Sequence, residues 1–358
     1  MAYRTTANKT YGQNRRKAPA AAAAKLQQVA SSSTPPSYAS KTVMTANAVQ
    51  SNMSSLSLFL AKYLSGKNNV VISPDPNSDG YSVGKRKLVN GQIIYDIKVP
   101  HWINYKLPLD DKSKYRVYRS GVWHEAQHVA ETPDQVFTFG TKDDEVKEPL
   151  AHDTINILED RRIEDIGVEK WPGYASERLF TNAYAWTRRM DVGIFWNAYL
   201  KMHYDDINRV YLKDEEYIRE RKGHMRHEAF LQRLLVMKIK GWDQLPIAER
   251  DLIEHEATMV EHELAKLRKQ SPEAIYRKLA QLSMQVIKDL ELKDYAPEIT
   301  HVGESTWDQS FKPHTPAPGE AQQTRTGIDD YFDQLMTVEV VCSGCGKHYT
   351  RKLGVRED

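Results

Sequence analysis

The segment Val122-Trp123-His124-Glu125-Ala126-Gln127-His128-Val129 constrains the fold more than any other part of this 358-residue chain. On a helix, residues four apart lie one turn above each other, so His124 and His128 direct two imidazole nitrogens at one point. Glu125 lies about 100° around the helix from His124, close enough to act as general base on a water at that point without occupying it. The neighbours Val122, Trp123, Ala126, Val129 and Ala130 are uncharged. A solvated helix carrying two histidines by accident would have a charged neighbourhood, so this one is expected inside the fold. Two buried histidines and a buried glutamate are costly without a partner, and a metal ion supplies one.

Catalytic zinc takes three protein ligands and keeps one position open. The expected source of the third is His152-Asp153-Thr154-Ile155-Asn156-Ile157-Leu158-Glu159-Asp160-Arg161-Arg162-Ile163-Glu164-Asp165-Ile166. On a wheel of about 100° per residue, Ile155, Ile163 and Ile166 fall on one side with Glu159 in their midst. Asp160 and Glu164 stack on a different, polar side. A carboxylate centred on an apolar face is expensive unless paired or metal-bound, so Glu159 is the first choice for the third ligand. His152, two turns earlier on the same side, is the alternative ligand or a hydrogen-bond donor to the transition state. Asp160 and Glu164 stay open as further alternatives, and a solvated helix with an Arg161–Asp165 pair is the plain reading of the same segment.

Around this motif the chain reads as α+β and predominantly α-helical. Residues 1–50 form a basic tail rich in Ala and Ser, expected to be disordered, with order beginning near Ser54. Val70-Val71-Ile72 is a short strand, and Asn90-Gly91 marks a hairpin between residues 86–89 and 93–99. Tyr95, Ile97 and Val99 alternate with Asp96 and Lys98, as in a half-buried or edge strand. From about Lys112 helical patterns continue to residue 293, with Arg250–Lys269 and Pro272–Leu292 expected to pack as a helical hairpin. Residues 51–293 thus form the main domain, 294–336 a linker rich in Pro, Thr and Gly, and 337–358 a short β-prone tail.

His124 to His128 with a downstream Glu on a second helix resembles the gluzincin group of zinc metallopeptidases. More narrowly, His124–His128 followed by Asn156-Ile157-Leu158-Glu159-Asp160-Arg161-Arg162-Ile163-Glu164 is similar to the metallopeptidase-like regions of cobaltochelatase-subunit-like proteins, which precede von Willebrand A domains. The likeness covers about residues 75–170. It implies a zincin-like domain with a small β-hairpin or sheet beside the motif helix, followed by a helical subdomain. It implies Zn²⁺ on His124, His128 and Glu159, catalysis by Glu125, and Asp160, Arg162 and Glu164 as supporting groups. The substrate is then a protein or peptide, held as an added strand on an edge such as Ile93–Val99, with an ordinary core hairpin as the alternative for that segment. His152, Tyr174 and Tyr184 are candidate donors to the oxyanion. A non-proteolytic, metal-stabilised scaffold or assembly subunit, viral or associated with an AAA+ ATPase, is the competing reading.

Cys342-Ser343-Gly344-Cys345-Gly346-Lys347-His348 is half of a zinc knuckle, and Cys342, Cys345 and His348 are the candidates for a second, structural zinc. His301 or His314 is the nearest source of a fourth ligand, and a redox-active pair is the other reading. With only these two cysteines, a reducing compartment is the simpler expectation. No Asp or Glu precedes Asp75, so residues 1–74 carry +9; against +2 for the whole chain, that leaves −7 on the rest. The basic arm is expected to solubilise, to target, or to hold nucleic acid or another anionic partner. No apolar run is long enough to span a membrane, and no signal core opens the chain. A cytoplasmic location is expected, with virion-associated and organelle-targeted as alternatives. His224, His227, His255 and His262 read as solvated helix residues.

Overall fold

A computed structural model describes residues 45–78, 80–88, 90–139, 146, 148–295, 317–335, 337–341 and 348–352. It is mostly helical with a small mixed sheet, as expected of an α+β chain. Helix α1 (Ala46–Ser65) starts eight residues ahead of Ser54, inside the segment expected to be a tail. Strands β1 (Val70–Asp75), β2 (Ser82–Lys87) and β3 (Ile93–Pro100) follow, ordered β1-β3-β2. β2 and β3 form the expected antiparallel hairpin, with Gly91 supplying a left-handed φ of 80° in its turn. β1 pairs with β3 in parallel, Val70 opposite Tyr95 and Ile72 opposite Ile97.

β3 is therefore the central strand, and the expectation that Ile93–Val99 offers an edge to substrate is corrected. Both of its backbone faces are already bonded, and the sheet's edges are β1 and β2. Asp96 ties the three strands together, accepting from Ser73 Oγ at 2.5 Å and pairing with Arg86 at 3.1 Å.

α2 (Asp111–Glu131) packs against β3 and β2 of this sheet. Asp110 caps its start by accepting from the Ser113 amide, and Thr132 closes its end, donating its amide to the His128 carbonyl. α2 meets its neighbours at two glycines. A Cβ on Gly121 would lie 2.6 Å from the Tyr81 ring, and one on Gly167 would lie 2.5 Å from the Trp123 side chain. The second contact brings α3 (Glu148–Lys170) against α2, and α4 (Ala175–Arg188) packs on the same helix. One large core joins sheet residues Ile97 and Val99 to Trp123, Ile155, Leu158 and Tyr184.

The rest of the chain adds a short α5 (Val192–Phe195), a two-stranded ribbon β4 (Tyr204–Asp205) and β5 (Val210–Tyr211), α6 (Glu215–Leu231), α7 (Ile247–Ala265) and α8 (Pro272–Asp289). A second, smaller core gathers Val192, Leu200, Met225 and Ile253. α7 and α8 are the two long helices expected there, but α8 packs chiefly on α3, where Ser283 Oγ donates to the Ala151 carbonyl at 3.2 Å.

The expected linker is corrected in part. It contains α9 (Glu320–Leu335), which lies along α4 and buries Thr324, Ile328 and Tyr331. β6 (Thr337–Val341) and β7 (His348–Lys352) form an antiparallel hairpin with His348 opposite Val341. Cys342 and Cys345 lie outside the described residues, as do His301, His314 and the basic arm up to residue 44. Among the described residues, no helix is long and apolar enough to cross a membrane.

Candidate metal centre

α2 is buried on nearly every side over the motif, with Val122, Trp123, Ala126 and Val129 at 0–1% exposure. His124 and Glu125 are buried with them, and His128 is the member of the motif that reaches toward solvent. α3 is enclosed likewise: Asp153, Glu159, Asp160, Arg162 and Glu164 are buried alongside Ile155, Leu158 and Ile163. A helix surrounded by protein has no polar side to spare. Each of these charged groups must therefore find a partner within the fold.

Asp160 finds the histidines. His124 Nε2 and His128 Nε2 stand 3.2 Å apart, and Asp160 Oδ1 is 3.5 Å from the first and 3.1 Å from the second. Among the described residues, His124, His128 and Asp160 form the group suited to hold a metal ion. A tetrahedral ion bonded at about 2.0–2.1 Å has ligand atoms about 3.3–3.4 Å apart, and these three separations fall around that value. The donor set, two imidazoles and a carboxylate, suits zinc.

The outer nitrogens of both rings are also held. His124 Nδ1 is 3.2 Å from Glu164 Oε1, and His128 Nδ1 is 2.9 Å from Thr132 Oγ1. Each ring is thereby pinned with Nε2 turned to the common point, as ligand histidines require. Glu164 in turn meets Arg178 of α4, whose Nε is 2.7 Å from Glu164 Oε2 and whose Nη1 is 3.0 Å from Asp165 Oδ1.

The electrostatics favour a cation at this point. Burial by itself would lower the pKa of His124, but Asp160, Glu164 and Glu125 together raise it well above its ordinary value. Burial would raise the pKa of Asp160, yet His124 and His128 pull it far below the usual carboxylate range. Both shifts have one origin: three carboxylates surround two imidazoles, and positive charge placed among them is stabilised. Glu125 is pushed up, first by burial, with Asp160 adding to the rise and the two histidines opposing it.

The expectation that Glu159 completes the ligand set is corrected. Glu159 is buried but bound elsewhere: Arg162 grips it with Nε at 2.6 Å and Nη2 at 2.7 Å, and the same Nη2 donates to the Glu131 carbonyl at 2.8 Å. Of the other expected residues, Glu164 supports His124 and Arg162 supports Glu159. His152 sits on α3 beside Asn156 Nδ2 at 3.2 Å and is not a member of the metal group. Tyr174 stacks on Trp123 at 5.0 Å between centroids, and Tyr184 is fully buried on α4. His227, expected to be solvated, is buried and pairs with Asp153 at 2.8 Å. Thr132 and Arg178 carry no motif, and the sequence reading missed both. For Thr132 the one local signal is its place four residues after His128.

The chain matches no family model, no curated protein and no solved structure.

Proposed function

We propose that this chain is a zinc-dependent hydrolase with a zincin-like motif helix, and that the bond it cleaves is a peptide amide. The observation that carries the reading is the convergence of His124, His128 and Asp160 on one point, with Glu125 adjacent on the same helix. An ion held there supplies Lewis acidity and lowers the pKa of a water it binds from 15.7 to about 7. Glu125 takes a proton from the attacking water as its oxygen bonds to the carbonyl carbon. The carbon–nitrogen bond then breaks, and Glu125 returns that proton to the leaving amine. Burial raises the pKa of Glu125 above its ordinary value, which strengthens it as a proton acceptor. Glu164 and Thr132 keep the two imidazoles aimed, and Arg162 keeps Glu159 away from the site. The peptide as substrate rests on the likeness of the motif to gluzincin-type peptidases, from which an aspartate in the third position is a departure.

One observation favours a scaffold instead. The side chains of His124 and Asp160 are only 4% and 2% exposed, as in a metal site that serves to tie helices together.

Metal analysis of the wild type and Glu125→Gln, followed by incubation with an unstructured protein such as casein, separates the two. We expect the same zinc content in both proteins and a loss of about 10²- to 10⁴-fold in hydrolysis for Glu125→Gln. A zinc-loaded wild type that cleaves nothing sinks the hydrolase reading and leaves the scaffold.

A further inference from the structure

Beyond the ligands, we infer that Arg178 is a positioning residue of the metal centre, acting through Glu164 on His124. The inference rests on the metal reading given above. It starts from the burial of Arg178, at 8% exposure, in the second turn of α4. A guanidinium this deep needs fixed anionic partners. Its partners are consecutive residues of α3: Glu164 at 2.7 Å and Asp165 at 3.0 Å. Nη1 donates a hydrogen bond to Asp165, and Nε stands in ion-pair contact with Glu164, so one guanidinium fork holds its charge against both carboxylates.

Glu164 then has one oxygen on Arg178 and the other on His124 Nδ1. With Nδ1 held by that carboxylate, Nε2 is the nitrogen left to face His128 and Asp160. Three helices thus act in series: α4 fixes a carboxylate of α3, and that carboxylate fixes a ligand of α2. The far side of the fork is anchored too. Asp165 Oδ2 is 3.0 Å from Arg161 Nε, and Arg161 Nη2 is 3.1 Å from Glu261 on α7. Arg178 is therefore held from behind while it holds Glu164 in front. Apart from His124 itself, no other described residue forms an ion pair with Glu164. Without Arg178 that carboxylate keeps its place on α3 but loses its fixed direction, and His124 loses its aim.

A role confined to holding helices together would also fit a buried arginine, so the test must read the metal. Zinc affinity is measured by competition with a chromophoric chelator for the wild type, Arg178→Leu, Arg178→Lys, Glu164→Ala and the double variant Glu164→Ala/Arg178→Leu. Arg189→Leu serves as the control, because Arg189 forms a largely buried pair with Glu228 that has no part in the metal centre. Arg178→Leu and Glu164→Ala should each weaken zinc binding about 10- to 100-fold. Arg178→Lys, which keeps the charge and loses the fork, should fall between Arg178→Leu and the wild type. The double variant should bind no more weakly than the worse single one, because the two residues act in series. Arg189→Leu should melt lower yet bind zinc like the wild type. With Co²⁺ in place of zinc, the visible ligand-field bands should shift in Arg178→Leu and stay unchanged in Arg189→Leu. Should Arg178→Leu not fold, Arg178→Lys and Glu164→Ala decide the matter.

Wild-type affinity and spectrum in the folded Arg178 variants overturn the assignment. So do fully additive losses in the double variant, or an equal loss of zinc affinity in Arg189→Leu. A wild type that binds no zinc fails at an earlier step and overturns the metal reading itself.

Discussion

Glu159 and Asp160 are adjacent in sequence and about 100° apart around α3, and that angle separates a carboxylate bound to arginine from one placed to hold a metal ion. The physical premise about Glu159 holds, because a carboxylate buried that deeply does need a partner. Its partner is the guanidinium three residues on, gripping it through two nitrogens. Two outcomes follow. Asp160→Asn should fold but lose stoichiometric zinc, because an amide oxygen is a weaker ligand than the carboxylate it replaces. Glu159→Ala should keep its zinc and lose about 3–5 kcal/mol of stability, since it strands Arg162 as a buried, unpaired charge. Metal content and urea unfolding of the two proteins check this, and zinc lost from Glu159→Ala with zinc kept in Asp160→Asn would reverse the assignment. His124, Glu125 and His128 were legible because their relation is local, fixed by the pitch of one helix. The third ligand depends on how α3 is rotated against α2. A single buried face is the wrong premise for α3, whose buried residues lie around the whole helix, and the side expected to be polar is the side that meets the histidines.

Among the elements, α7 carries a carboxylate in its buried stripe: Ile253, Glu256, Ala257, Val260 and Leu264 all face inward. Burial, with Asp289 adding repulsion, pushes the Glu256 pKa up to about 7 from its usual 4.5. The unfolded chain gives up this proton near pH 4.5, while the folded one holds it until about 7. The neutral side chain is thus tolerated at low pH, and stability is lost as pH rises through that window. Glu256→Gln, which cannot ionise, should match the wild type near pH 4 and exceed it by about 1–3 kcal/mol at pH 8. Urea midpoints taken at four pH values between 4 and 8 test this, and a constant gap between the two proteins would refute it. The elements also divide by what their residues encode. The β2–β3 hairpin was legible from Asn90-Gly91, a local turn signal. That β3 is central was not, because alternation reports which face of a strand is buried and says nothing of its two edges. The edge is closed by β1, through a parallel pairing that no turn announces. α9 was hidden because Pro and Gly dominate the composition before it, while only Thr324, Ile328 and Tyr331 mark its inner face.

Taken as a whole, the molecule places a group that could hold a metal ion where two helices of the main core meet, formed by His124, His128 and Asp160. An unfolded chain keeps no such point, so the free energy of holding an ion there adds directly to the free energy of folding. The gain is RT ln(1 + [L]/Kd), about 4 kcal/mol when free zinc stands a thousandfold above its Kd. For a protein of this size each kcal/mol moves the midpoint by about 1–2 °C, so loading the site should raise Tm by about 6 °C. Chelation with EDTA should reverse the rise, and added zinc should restore it. Magnesium should not substitute, because it prefers six oxygen ligands in an octahedron and this site offers two nitrogens. Asp160→Asn should melt at one temperature with or without zinc. Arg178→Leu should retain a reduced shift that needs more free zinc to appear, because it weakens the ion's hold without removing a ligand. Scanning calorimetry with buffered free zinc reads all four cases, and a wild-type midpoint indifferent to zinc would mean that His124, His128 and Asp160 hold no ion in solution.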